Sequence, residues 1–283
     1  MSEIIIGIVL DALLDTLKVI PFLYIVYFLI EYLEHHHAEK LPNALRKLGS
    51  LGSLGGALLG SIPQCGFSAA VSNLFSGGLI SMGTLISVYI ATSDEAIPLL
   101  ISNPSYASDV WRLIVVKIII AVVVGFVVDL IARHYKKENE SPHIDELCRD
   151  CDCEHHNIFV SALIHTAQIS LIIMIINLVL GSAFEFLGTD RVASIMMKGS
   201  PVQPLITALF GFIPNCAASV IITQLYIEGV LSFGSCIAGL CTGAGVGLIV
   251  LFRTNHSIKQ NLSIMGILYL SAVVSGVIIN LIV

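Results

Sequence analysis

Apolar residues fill this chain in long runs, and polar positions punctuate the runs rather than alternating with them. The first run, from about Leu10 to Leu33, gives way to Glu34-His35-His36-His37-Ala38-Glu39-Lys40, where polarity rises abruptly as at a membrane exit. The next two, Gly49 to Ile62 and Cys65 to Phe75, span only about 11–14 residues and fall short of the ~20 that a crossing helix needs. They meet at Pro63 and predict a broken, hairpin-like pair, which is tolerated at membrane depth only inside protein or against a cavity. Leu79 to roughly Leu100 follows, with Thr92-Ser93-Asp94-Glu95 expected to close that segment, and then Val110 to Ile131.

A hydrophilic loop, Arg133 to Asn157, separates this set from a second in the same order: Ile158 to Leu187, a broken pair around Pro214, Val230 to Phe252, and Leu262 to Val283. The two sets are copies. Gly60, Pro63, Cys65, Ser68, Leu74, Gly78, Ser81 and Gly83 return 151 residues on as Gly211, Pro214, Cys216, Ser219, Leu225, Gly229, Ser232 and Gly234. Gly125 and Asp129 meet Gly276 and Asn280 at the same offset, while Asp15-Thr16 meets His165-Thr166 at an offset of 150. Such self-similarity marks an internal duplication. It divides the chain into a first transmembrane repeat over 1–132, a loop over 133–157 and a second repeat over 158–283. Five segments per copy is an odd number, so the second copy is expected upside down relative to the first. Lys40, Arg46, Lys47, Arg133, Lys136, Lys137, Arg149, Arg253 and Lys259 fall on one side, against Arg112, Arg191 and Lys198 on the other. The positive-inside rule then places the central loop in the cytoplasm and both termini outside, in a cell (inner) membrane.

Composition agrees with the runs. The 283 residues are 56% hydrophobic and 12% charged, with a mean hydropathy of +0.91, and ordinary soluble domains carry about twice that share of charge. A net charge of −6 with no basic stripe argues against nucleic-acid binding. Seven cysteines, four in apolar runs and three in one loop, do not suggest a disulfide framework. Met1-Ser2-Glu3 has no basic character and the first run carries Asp11, Asp15 and Lys18, so it reads as a retained span rather than a leader. The absence of a Gly-x₄-Gly-Lys-Ser/Thr loop speaks against direct ATP coupling, and the absence of His-Glu-x₂-His and Gly-x-Ser-x-Gly speaks against an enzyme.

The candidate chemistry lies at the duplicated breaks. A helix starting just after Pro63 or Pro214 aims its N–H groups and positive dipole end at the membrane interior, which favours a thiolate at Cys65 and Cys216. Paired thiolates select soft or borderline acceptors such as Zn²⁺, Cd²⁺ or trivalent arsenic. Gln64, Asn215, Ser68 and Ser219 flank them. The same paired helix N-termini suit an anion equally well, and a Cys there can also be only a small packing residue. Asp11, Asp15 and Lys18 share one face of the first helix, and Ser161, His165 and Gln168 are their counterparts. Ionisable groups inside a span commonly face a transport path. That makes Asp15 and His165 candidate ligands or proton carriers, unless an Asp15–Lys18 pair merely orders the bundle. Asp94 and Glu95, which have no mirror in the second copy, are candidates for proton coupling. In the loop, Cys148, Cys151, Cys153, His155 and His156 offer Cys-x₂-Cys spacing for an accessory metal. Lys117 falls in mid-span opposite Leu268, suited to snorkelling or to pairing with a carboxylate.

The paired Pro-Gln-Cys-Gly-Phe-Ser and Pro-Asn-Cys-Ala-Ala-Ser motifs, the Asp15-Thr16 and His165-Thr166 match, and Ala91 to Ala96 resemble the ten-span heavy-metal exporters. Members of that prokaryotic family are also called arsenic efflux proteins or manganese transporters. The resemblance implies efflux of a metal or metalloid cargo, with no cofactor. The expectation is an all-α polytopic membrane protein working as a secondary exporter in the bilayer, either alone or as a homo-oligomer. An anion exporter and an intramembrane metalloenzyme using His165 and Asp15 are the alternatives.

Overall fold

A computed structural model of the chain describes residues 7–28 (apart from 8, 11, 15, 18, 22 and 26), 52–62, 65–93, 95–135, 158–187, 196 and 199–282. For Cys65 and residues 133–135, 158, 161, 165, 181 and 183–187 only the backbone is described. Among these residues every regular element is a helix: α1 (7–28), α2 (52–60), α3 (Cys65–Ser76), α4 (Met82–Ala91), α5 (Ala96–Ser102), α6 (Ala107–Tyr135), α7 (Ile158–Leu187), α8 (Gln203–Gly211), α9 (Cys216–Ile227), α10 (Phe233–Thr242), α11 (Val246–Thr254) and α12 (Ile258–Ile282). Five stretches among them are long and apolar enough to cross a membrane: Met82–Ser102, Ala107–Ala132, Ala162–Leu180, Phe233–Thr254 and Ile258–Ile282.

Residues 151 apart make the same local structure. Gly78 and Gly229 both take a φ of 70° just beyond α3 and α9. There Leu79 N–H reaches the Leu74 carbonyl and Val230 N–H the Leu225 carbonyl, each at 2.9 Å, the six-to-one bond with which a left-handed glycine ends a helix. Ser81 and Ser232 then cap α4 and α10, their hydroxyls accepting from Thr84 and Ser235 N–H. Each glycine that follows is pinned to the end of a long helix. Gly83 N–H donates to Asp129 Oδ1 at 2.9 Å and Gly234 N–H donates to Asn280 Oδ1 at 3.0 Å.

The long helices α6 and α12 show why glycine recurs. Their inward stripes match position by position, Leu113 with Ile264, Lys117 with Leu268, Ala121 with Ala272 and Gly125 with Gly276, and beyond these the buried Asp129 matches Asn280, which is exposed. A Cβ added to Gly83 would meet the Gly125 carbonyl, and one added to Gly234 would meet the Gly276 carbonyl. Without a hydrophobic drive between helices in lipid, such close backbone approach supplies the packing. Of these five matched pairs, the one between Lys117 and Leu268 exchanges an ammonium for a hydrocarbon.

The copies interlock by exchange. Helix α3 packs on α11, and its counterpart α9 packs on α5. Helices α1 and α7 close over α3 and α11 with Val19, Leu23, Ala162, Ile169, Ile173, Ala69, Val246 and Val250. Two expectations need correction. Thr92 to Glu95 does not close its segment: α5 resumes at Ala96, so the polar residues interrupt a spanning stretch. Arg133 is not in the loop, since α6 continues through Tyr135; the polar end of a helix emerging from lipid can keep its backbone bonds without an apolar face.

Candidate functional site

Four interruptions define the centre. Helix α2 stops at residue 60 and α3 starts at Cys65; α8 stops at Gly211 and α9 starts at Cys216. The other two fall within spanning stretches, at Thr92–Glu95 between α4 and α5 and at Gly243–Gly245 between α10 and α11. Gly245 sits at φ 52°, ψ −130°, a conformation in which a Cβ is strained.

The start of α9 is well defined. Asn215 is extended and 8% exposed, and its Oδ1 accepts Ala217 N–H at 2.7 Å. The carboxamide oxygen is therefore spent on the cap, leaving the amide N–H₂ as what Asn215 can offer a ligand. Cys216 follows as the first helical residue, half-buried and outside any disulfide. One turn on, Ser219 Oγ would lie 3.4 Å from a Cβ on Gly243, so the α9 tip abuts the glycine break. In the first copy, Ser68 is 1% exposed, and its Cβ would lie 2.7 Å from a Cβ built on Gly247. Helices α3 and α11 then run side by side to a Ser76–Thr254 hydroxyl contact of 2.7 Å.

Hydroxyls pin the second break to the first copy. Ser72 Oγ and Tyr89 OH lie 2.6 Å apart, and both reach the Gly247 carbonyl, at 2.8 and 3.0 Å. Ser72 also reaches the Ser68 carbonyl at 2.6 Å, so two protons serve two backbone acceptors and the contact between the hydroxyls. Tyr89→Phe removes one of these protons while Ser72 still covers Gly247. We expect a loss of about 1 kcal/mol, read as a fall of ~2–4 °C in the thermal unfolding midpoint of the detergent-solubilised protein.

Lys117 joins the two interrupted stretches. Its side chain is 1% exposed and its Nζ donates to the Thr92 carbonyl and, at 2.8 Å, to the Leu240 carbonyl. Cys236 and Cys241 on α10 are fully buried within reach of its charge. Sequence reasoning had no signal for this bridge. It also missed Tyr27, whose hydroxyl donates to Asn73 Oδ1 at 3.1 Å, and Asn177, which is 5% exposed and whose carboxamide has no hydrogen-bond partner among the described residues. Asn177 stands 150 residues after Tyr27, but the two differ in type, so the duplicated register marked neither.

Of the sequence candidates, Ser68, Ser219, Asn215, Cys216 and Pro214 gather around these breaks, and Glu95 precedes the first turn of α5. Asp15, Pro63, Gln64, Asp94, Cys148, Cys151, Cys153, His155 and His156 lie outside the described residues. Of Cys65 and His165 only the backbone is described, on α3 and α7. Among the described residues no three His, Cys, Asp or Glu side chains form a metal cluster. A groove of about 230 Å³ lies between α1 and α7; the described residues that line it, Leu13, Thr16, Leu17, Ile20, Ala167, Ser170, Leu171 and Met174, make it apolar.

A family model described as "Putative, 10TM heavy-metal exporter" matches residues 1–188 and 181–283, which together take in the whole chain. No curated protein and no solved structure matches the chain.

Proposed function

Because the chain belongs to this family of membrane-embedded heavy-metal exporters, we propose that it is a secondary-active transporter moving a heavy-metal or metalloid ion out of the cytoplasm, with protons as the counter-ion. The observation that carries the reading is the placement of Cys216: a half-buried thiol at the first residue of a helix that begins within the apolar bundle, against a glycine break. Cys65 opens α3 at the matching position. Two such thiols would hold a soft ion, with Gln64, the Asn215 amide, Ser68 and Ser219 around it. Asp15 and His165 would serve as further ligands, Asp94 and Glu95 would take the proton, and Cys148, Cys151, Cys153, His155 and His156 would collect metal on the cytoplasmic side. The reciprocal packing of α3 on α11 and α9 on α5 supports two inverted repeats rocking about this centre, with the central loop inside and both termini outside.

Cells making the protein should accumulate less of one ion among arsenite, Mn²⁺, Zn²⁺ and Cd²⁺. Cys65→Ser and Cys216→Ser should each reduce that effect at least about tenfold, the equivalent of ~1.4 kcal/mol of lost binding. Asp15→Asn should weaken it too. Accumulation that never changes, or that changes and survives loss of both thiols, would move the site away from the cysteines. The starts of α3 and α9 at the duplicated breaks favour a second reading, export of an anion held at these helix N-termini; resistance to such an anion would then be indifferent to thiol removal.

A further inference from the structure

Lys117 lies in mid-helix among Val115, Val116, Ile118 and Ile119, where an ammonium is costly unless its protons are taken up. Its acceptors are informative. Thr92 is the residue that terminates α4, and Leu240 is in the last turn of α10. Carbonyls at these positions have no N–H of their own helix to receive, and they carry the negative end of the helix dipole. Both helices stop inside a spanning stretch, so these negative ends converge within the bundle rather than in water. Half-helix ends and unwound carbonyls of this kind are how membrane transporters coordinate a small monovalent cation.

We propose that the gap between the ends of α4 and α10 is a monovalent-cation site which the protein fills from its own chain, with the Lys117 ammonium in place of Na⁺ or K⁺. Among the described residues, Cys236 and Cys241 on α10 lie within reach of its charge, and the titratable groups flanking its Thr92 acceptor along the chain are Tyr89 on α4 and Glu95 at the head of α5. The site has no mirror: the residue 151 positions later is Leu268, which is fully buried. A tethered cation cannot diffuse away, so the two breaks stay joined whatever salt is present, and neither Na⁺ nor K⁺ is needed to hold the centre together.

Thermal unfolding of the full-length protein in detergent tests this without a transported substrate, so its outcome is separate from that of the export reading. At constant ionic strength the wild-type midpoint should agree within about 1 °C in NaCl, KCl and choline chloride. Lys117→Ala should fall by about 5–10 °C in choline chloride and recover saturably with Na⁺ or methylammonium, which can enter the vacated space. Lys117→Met, which fills that space with hydrocarbon, should fall without recovery. A wild-type midpoint that rises with Na⁺ or K⁺ would overturn the proposal, as would an alanine variant that responds to no small cation. If the alanine variant does not fold, Lys117→Arg and Lys117→Met decide: the proposal requires Arg to be the more stable, and equal midpoints reject it.

Discussion

Gly125→Leu is expected to leave almost no correctly folded protein in the membrane. A Cβ at this position would strike Ser87 Oγ and lie 2.7 Å from the Gly83 carbonyl and 3.1 Å from Ser53 Cβ. Ser87 could rotate, but it is buried and its hydroxyl donates to the Ala121 carbonyl at 2.9 Å. The Gly83 carbonyl is backbone and can yield only if α4 and α6 part. Overpacking of a tight core costs about 1–3 kcal/mol, and forcing two spanning helices apart exceeds the top of that range. The yield of monodisperse protein on size-exclusion chromatography should fall more than about tenfold. Gly276→Leu should behave alike, since its Cβ would lie 2.7 Å from the Gly234 carbonyl and 2.8 Å from Ala238 Cβ. Gly266→Ala is the control: nothing lies within 4 Å, so it should be neutral or stabilise by up to about 1 kcal/mol. Near-normal yield of Gly125→Leu would show that α4 and α6 do not need this approach.

The second large effect is at Asp129. Its carboxylate accepts from Gly83 N–H at 2.9 Å, Ser81 Oγ at 2.9 Å and Ser53 Oγ at 3.0 Å, and it is 5% exposed. Alanine would strip the acceptor from all three donors. Ser81 would keep its bonds with Thr84, but Gly83 N–H and Ser53 would be left buried without this acceptor. At about 1–3 kcal/mol for each stranded group, the loss should total about 3–5 kcal/mol and lower the unfolding midpoint by ~10 °C. Asp129→Asn should cost far less. The second copy already uses that residue: Asn280 Oδ1 receives Gly234 N–H at 3.0 Å and its Nδ2 reaches Ser235 Oγ. Equal damage from alanine and asparagine would mean that the charge, not the acceptor geometry, is what α4 requires.

These two positions also mark what was legible in the sequence. Gly83, Gly125 and Asp129 stood out only because each has a counterpart 151 residues later, and duplicated structure returned duplicated residues with the same bonds. Where the copies differ, that signal vanishes. Tyr89 corresponds to Leu240 in the second copy, so the hydroxyl network on Gly247 had no echo to reveal it. Lys117 corresponds to Leu268, and its acceptors lie 25 and 123 residues away, a pairing that no local pattern encodes. The interruption after α4 was misread for a different reason. Thr92 to Glu95 has the polarity of a helix leaving the membrane, and only the packing of α5 on α9 shows the chain resuming within the bundle.

The unmirrored ammonium also limits the history open to such a chain. In a dimer of identical half-length subunits, the second copy would carry a lysine where Leu268 stands. The 151-residue register carries the two acceptors of Lys117, Thr92 and Leu240, onto Gly243 and Tyr89, so the second lysine would be directed to the carbonyls of that pair. Two ammonium groups would then crowd one dry centre, repelling each other where little water could screen them. Covalent fusion of the halves removes that symmetry constraint, because each copy can then mutate alone. A present-day relative built from two separate, identical half-chains should therefore lack this lysine.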